Sequence, residues 1–153
     1  MRALRASAVV VLLALDRATK AWAFASLRPV GTIPLVPFFD LTYVENTGAA
    51  FGMGRGAGGI LTAVSVALVI ALQYLRRKWP QDDPWLQWGA WLVTAGAVGN
   101  LYDRFAYGYV VDFLHIHHWP VFNVADSCIT VGAGLLAWGL RDEPGAKKAP
   151  AKP

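Results

Sequence analysis

The sequence predicts an all-α membrane protein in which four transmembrane helices carry a small β-cradle on the extracytoplasmic side. Hydrophobic residues make up 56% of the 153-residue chain and charged residues only 16%, whereas about 25% of the residues in a soluble domain are charged. The apolar residues form long runs, and the mean hydropathy is +0.39. Most of the charges lie between these runs, which is the arrangement of a protein with several membrane spans.

Four stretches of the chain reach or approach the length of about 20 apolar residues that a helix needs to cross a bilayer. They are residues 3–24, 56–75, 85–101 and 123–140. With their connections they make one membrane domain over residues 1–141. Residues 142–153 combine lysine with proline, alanine and glycine, and this composition predicts a disordered cytoplasmic tail.

The first stretch has the basic start and the small residues of a cleavable signal peptide. However, Asp16, Arg17 and Lys20 interrupt its apolar part before the potential cleavage site. Charged residues are rare in the apolar region of a signal peptide, so we expect this helix to remain in the mature protein.

The distribution of basic residues predicts the orientation of the chain in the membrane. Nine lie in the N-terminus, the tail and a short polar turn that begins at Arg76, and three lie in the two longer connections. Positive charges stay on the cytoplasmic side. Both termini are therefore expected inside and the longer connections outside, which requires an even number of helices.

The two outer connections have the composition of β-strands rather than of solvated loops. Residues 32–44 and 107–114 are rich in β-branched and aromatic side chains, which favours strands. Tyr43 and Trp119 suit the membrane interface, where aromatic residues collect. A small sheet at the outer surface would satisfy both observations.

Two aspartates approach the same outer edge of this predicted bundle from different directions. Asp112 lies among strand-forming residues, and Asp126 enters the fourth helix just after Asn123. Asn123 as a helix N-cap, with Asp126 in the first turn, explains the second aspartate by helix capping alone. Alternatively, two carboxyl groups in one apolar site cannot both ionise, and such a pair can act as general acid and general base on a water molecule.

Other polar residues at membrane depth also need partners, because burying them alone is costly. Asp16 and Lys20 are four residues apart, so we expect a structural ion pair on one helix face. Asn100, Asp103 and Arg104 share a face at the end of the third helix. They are either a polar helix end or a scaffold for a site, in which Arg104 could hold a carboxylate or a lipid phosphate.

Two further motifs lie in the outer connections. Asn46 and Gly48 mark a turn with small neighbours, where the amide of Asn46 could hold a substrate backbone. His115 and His117 would lie on one side of a strand, with His118 beside them, but no third metal ligand is clearly placed. Surface histidines are therefore expected rather than a metal site. The single cysteine excludes an internal disulfide.

Together these motifs resemble the bacterial lipoprotein signal peptidases, also called type II signal peptidases. The matching segments follow the family's order and cover nearly the whole chain except the tail. They are residues 16–20 (DRATK), 46–51 (NTGAAF), 99–104 (GNLYDR), 110–113 (VVDF) and 122–126 (FNVAD).

The resemblance implies an aspartyl endopeptidase of the bacterial inner membrane, with four spans, a β-cradle, a short lid helix and an outward-facing site. It implies cleavage of prolipoproteins just before a cysteine that carries a diacylglyceryl group, inhibition by globomycin, and no metal or other cofactor. Asp112 and Asp126 take the catalytic positions. The residues at supporting or substrate-contacting positions are Asn46, Gly48, Asn100, Asp103, Arg104 and Asn123.

The expected partners are thus a prolipoprotein substrate and membrane lipid, with the chain acting as a monomer. No nucleic-acid-binding motif is present in the sequence, so nucleic acid is not an expected partner. Two alternatives stay open from the residues alone. One is a small transporter or proton-conducting subunit, because intramembrane Asp and Arg also mark ion pathways. The other is a membrane scaffold that would tolerate Asp-to-Asn changes.

Overall fold

The computed structural model describes residues 2–48 and 57–141, and within them the chain is mostly helical with one small antiparallel sheet. The predicted combination of helices with a small sheet is therefore confirmed. In chain order the elements are α1 (Arg2–Ser26), β1 (Thr32–Val36), β2 (Phe39–Asn46), α2 (Ala57–Lys78), α3 (Pro84–Tyr107), β3 (Val110–Ile116) and α4 (Val124–Leu140).

The helices coincide with the four predicted spans, but their membrane-crossing character differs. One described helical segment, Gly59–Lys78 in α2, is long and apolar enough to span a bilayer by length and composition. Only 6% of its most apolar window is buried inside the protein. Helix α4 is apolar but shorter. The count of four spans therefore stays a prediction.

Helix α3 has a defined start and end that place the polar residues near its C-terminus. The side chain of Asp83 accepts a hydrogen bond of 2.9 Å from the Leu86 N–H, which caps the first turn. Gly108 ends the helix in the left-handed conformation with φ 81°. The helix continues past the predicted apolar span that ends at residue 101, and Asn100 and Asp103 are buried in this continuation with partners inside the protein.

The polar turn was predicted to begin at Arg76, but the structure places its beginning after Lys78. Residues 76–78 form the last turn of α2. Three cations there interact favourably with the negative end of the helix dipole. The change of direction follows them, before the N-cap of α3.

The sheet has the strand order β1-β2-β3, and both pairs are antiparallel. The predicted single strand over residues 32–44 is instead a hairpin, in which Val36 pairs with Phe39 across a turn. Pro37 stands in that turn, where its missing N–H breaks no ladder hydrogen bond. Ala23 and Leu27 pack against Val111 and Phe113, which fixes the sheet on α1.

Helices α3 and α4 approach each other closely because small residues face each other. A Cβ atom added to Gly132 would lie 2.8 Å from the carbonyl oxygen of Gly89, and one added to Gly96 would strike the backbone of Ala125. Such contacts are typical of helix pairs in membranes. The approach brings the C-terminal part of α3 against the first turn of α4.

Candidate active site

Asp112 lies on β3 with its carboxyl group buried, and both carboxyl oxygens accept hydrogen bonds from amides. Asn123 Nδ2 donates to Asp112 Oδ1 over 2.7 Å. Asn46 Nδ2 donates to Asp112 Oδ2 over 2.9 Å. The residue is only 2% exposed, so these two amides fix its orientation.

Asp126 lies in the first turn of α4, and its position follows from helix capping. The Asp126 N–H donates to Asn123 Oδ1 over 2.9 Å, and the Asn123 N–H donates back to Asp126 Oδ2 over 3.2 Å. This reciprocal pair is a capping box. The other oxygen, Oδ1, accepts a 2.7 Å hydrogen bond from Asn100 Nδ2. The hydrogen bonds that cap α4 thus also place Asp126 near Asp112.

Asn123 connects the two aspartates directly. Its side-chain oxygen accepts from the backbone of Asp126, and its side-chain nitrogen donates to Asp112. The residue is fully buried. Both carboxyl groups therefore accept hydrogen bonds from Asn123, Asp112 from its side chain and Asp126 from its backbone N–H.

Behind Asn100 lies a buried set of charges centred on Lys20. Its ammonium lies 2.9 Å from Asp16 Oδ2, 2.9 Å from Asp103 Oδ2 and 2.9 Å from Asn100 Oδ1. The backbone N–H of Ala125 donates to the other oxygen of Asp16 over 3.0 Å. Ion pairs thus join α1 to α3, and Asp16 also bonds the start of α4.

This arrangement fixes the amide of Asn100. An ammonium can only donate, so the side-chain atom that faces Lys20 must be the amide oxygen. The amide NH₂ then faces Asp126, where it donates to the carboxylate. Lys20 therefore determines which group Asn100 offers to Asp126.

Burial raises the pKa of Asp112 from its ordinary value of 3.8 to about 7. Loss of water is the largest cause, because it disfavours the charged form. The neighbouring charge of Asp126 raises the pKa further, while the amides of Asn46 and Asn123 and the charge of Lys20 lower it. Near neutral pH the carboxyl group of Asp112 is thus divided between its protonated and ionised forms.

Gly48 and Arg104 are the remaining predicted site residues. The N–H of Gly48, at φ 83°, donates to Asn46 Oδ1 over 2.8 Å, which turns the Asn46 NH₂ toward Asp112. Asn46 was expected to hold a substrate backbone, but here its amide is engaged within the protein. Half-buried Arg104 interacts electrostatically with Asp126 and Asp112. Residues 49–51 of the motif that begins at Asn46 lie outside the described residues, as does the expected tail, and no separate short helix occurs in the described part of the chain.

His115 on β3 and His117 in the turn after it lie beside Asp40. His117 Nε2 lies 2.8 Å from Asp40 Oδ2, and His115 Nδ1 lies 3.6 Å from the same oxygen. Over residues 2–48 and 57–141, no group of three or more acidic, histidine or cysteine side chains is suited to hold a metal ion.

Sequence reasoning missed one partner of the buried charges. Arg17 forms an ion pair with Asp103 and donates to the Tyr107 hydroxyl over 3.4 Å. Its guanidinium also lies over the ring of Tyr102. Its spacing of three residues from Lys20 placed both on one helix face and could have indicated this role.

An apolar groove of about 580 Å³ begins at Asp126. It runs along one side of α4 and under the loop that follows β3. Its apolar walls include Val131, Ile116, Trp119 and Phe122, and His117 and His118 also line it. An apolar ligand lying in this groove would have one end beside the Asp126 carboxyl group.

Known proteins show the same sequence pattern and fold. Residues 8–141 match the model of a family described as Signal peptidase (SPase) II. The lipoprotein signal peptidase of Thermodesulfovibrio yellowstonii is 42% identical over 135 residues, covering 85% of this chain and 89% of the relative. The protein of the same name from Clostridium acetobutylicum is 43% identical over 135 residues, covering 84% and 88%. A solved structure titled as a bacterial membrane enzyme, determined by the in meso method, superposes with a TM-score of 0.79 at 29% identity, covering 92% of this chain and 94% of the other.

Proposed function

This chain belongs to the signal peptidase II family, and we propose that its peptidase activity, the removal of signal peptides from prolipoproteins, depends on Asp112 and Asp126 as the catalytic pair. The bond that is cut precedes a cysteine carrying a diacylglyceryl group. The observation that carries this proposal is the buried residue Asn123, which donates to the Asp112 carboxyl group through its side chain and to the Asp126 carboxyl group through its backbone N–H.

The chemistry needs one ionised and one protonated carboxyl group. Asp126 is only half buried, so it can reach water and accept a proton from it. The resulting hydroxide attacks the peptide carbonyl carbon. Asp112, whose pKa of about 7 leaves it partly protonated, donates its proton to the substrate. Asp126 then passes the proton taken from water to the nitrogen of the scissile bond, the C–N bond breaks, and Asp112 regains its proton from a hydroxyl group of the tetrahedral intermediate. The new carboxyl group and amine separate, and no covalent enzyme intermediate is formed.

The surrounding polar residues divide into two roles. Asn46, Asn100 and Asn123 position the carboxyl groups, because each donates a hydrogen bond to one of them. Gly48 and Asp103 act one step further away, by fixing Asn46 and Lys20. Arg104 carries a positive charge near both aspartates and would stabilise the negative charge that develops on the carbonyl oxygen.

The groove beside Asp126 supports a lipid-modified substrate. Its volume of about 580 Å³ lies within the usual range of about 300–1,000 Å³ for ligand pockets. Apolar walls favour hydrocarbon over a hydrated peptide. An apolar part of the substrate, lying in this groove, would leave the peptide bond next to the carboxyl pair.

Residues 1–141 are proposed to form one domain in the bacterial cytoplasmic membrane, with four spanning helices, both termini inside and the site at the outer face. The charge distribution along the chain supports this orientation. All proposed catalytic groups come from a single chain, which supports a monomer. Globomycin is expected to inhibit by occupying the site, and family membership decides against the transporter alternative.

The test uses the purified full chain in lipid and a diacylglyceryl-modified prolipoprotein, with cleavage followed by gel shift. Asp112→Asn and Asp126→Asn should each lower kcat by about 10²–10⁴, the usual contribution of a general acid or base. Asp40→Asn, on the same sheet but away from the pair, is the matched control and should still cleave. Normal cleavage by either site variant, in a folded protein, would refute the assignment of the pair.

A further inference from the structure

A second cavity lies between α1, the end of α3 and the sheet, separate from the carboxyl pair. Its volume is about 320 Å³. Asp112 and Asp126 are not among its lining residues. Those residues include Arg17, Lys20, Phe24, Arg28, Tyr107 and Tyr109. Neither the proposed reaction nor the substrate groove uses this space.

The cavity is lined by cations and by no carboxylate. Lys20 lies at its base with its ammonium directed to buried acids, whereas the Arg17 and Arg28 side chains are 31% and 52% exposed. Asp103, which pairs with Arg17, has a fully buried side chain. Glu45 lies 3.3 Å from Arg28 and is partly exposed. The groups that a ligand would meet are therefore arginine N–H donors, and each arginine is also paired with one carboxylate.

Both guanidinium groups are held in place before any ligand arrives. Arg17 lies 4.6 Å from the ring centre of Tyr102, and Arg28 lies 4.8 Å from that of Phe24. Ala21 lies between the two arginines on the same side of the chain and leaves open space there. A planar guanidinium presents several N–H groups to one oxyanion, which makes arginine a preferred ligand for phosphate.

We propose that this cavity binds the phosphate of an anionic phospholipid from the outer leaflet. The proposal rests on the membrane placement given under the proposed function. Free phosphate would meet the same N–H groups, but the apolar side chains next to the cavity favour a lipid. Leu15 and Phe24 on α1 are 48% and 44% exposed, so acyl chains can lie along the apolar surface of this helix next to the cavity.

The test is native mass spectrometry of the detergent-purified full chain with phosphatidylglycerol or phosphatidylcholine of the same acyl chains. Wild type should retain phosphatidylglycerol more strongly. Arg28→Gln should weaken that binding about fivefold, the effect of one arginine near an anionic surface. Lys78→Gln removes one exposed charge at the other end of the protein and should leave it unchanged. Ala21→Phe should weaken it by filling the cavity without changing any charge.

Two controls separate this proposal from its competitors. Asp112→Asn should bind lipid like wild type, so that a failure of the proposed catalysis does not affect the readout. Millimolar inorganic phosphate should not displace the lipid. Equal retention of both lipids, equal effects of Arg28→Gln and Lys78→Gln, or displacement by inorganic phosphate would each overturn the assignment.

Discussion

The pKa of Asp112 should make the stability of this protein depend on pH in a defined direction. Folding raises that pKa from 3.8 to about 7, so the folded chain keeps a proton that the unfolded chain releases. The associated stability is complete below pH 3.8 and is lost as pH rises through about 7. A shift of about three units, at about 1.4 kcal/mol each, corresponds to roughly 4 kcal/mol.

Asp112→Asn removes this titration while keeping the shape of the side chain. The new amide oxygen can face Asn46 or Asn123, but the new NH₂ then faces the other donor. That unpaired donor should cost about 1–3 kcal/mol at every pH. About two of the three pKa units lie between pH 5 and pH 7. The free energy of unfolding of wild type should therefore fall by about 3 kcal/mol more than that of the variant between pH 5 and pH 8.

The assay is thermal unfolding in detergent at pH 5 and pH 8, followed by the fluorescence of the seven tryptophans. A difference of about 3 kcal/mol corresponds to roughly 6–12 °C in Tm for a chain of this size. Asp82→Asn, at an exposed position, should keep the wild-type pH dependence. Equal pH dependence of wild type and Asp112→Asn would refute the reasoning.

Three further substitutions test the packing around the carboxyl pair. Asn123→Ala should lower kcat/KM at least about tenfold and should reduce the free energy of unfolding by about 1 kcal/mol, because the helix cap is lost. Unchanged kinetics in a cleavage assay would contradict the role of Asn123 as a bridge between the two aspartates. Lys20→Met should reduce the free energy of unfolding by about 3–5 kcal/mol, because it leaves buried carboxylates without their cation. A loss of less than about 1 kcal/mol in a denaturant titration would contradict the burial of that charge. Gly96→Ala should cost about 1–3 kcal/mol, since its Cβ meets the carbonyl oxygen of Ala125, whereas Gly134→Ala, in open space, should not lower Tm.

The sequence predicted the type and order of the main elements because long apolar runs and β-branched segments are separated by clear polar breaks. It failed where a polar residue did not mean a chain break. The polar turn predicted to begin at Arg76 starts later, because residues 76–78 continue α2. Conversely, the β-branched run over residues 32–44 concealed a hairpin, because apolar turn residues such as Phe38 give no polar signal.

The candidate site followed from residue types and from the resemblance, but its connections did not. Spacing along one element shows which residues share a face, and this was enough to pair Asp16 with Lys20. It does not show which distant element that face meets. The contacts of Lys20 with Asn100 and of Asn46 with Asp112 join residues 80 and 66 positions apart, and only the folded chain defines them.

The hydrogen-bonded set around the two aspartates takes side chains from α1, β2, α3, β3 and the start of α4. Synthesis proceeds from α1 to α4, so Asn123 and Asp126 are the last of these residues to leave the ribosome. Before α4 docks, the Asp126 carboxyl group is not yet beside Asp112. Asn100, which Lys20 orients, then has no carboxylate to which it can donate. Under the proposed catalytic assignment, a chain that is still being inserted would therefore be unable to cleave prolipoproteins. On that assignment, catalytic activity would require the completed fold.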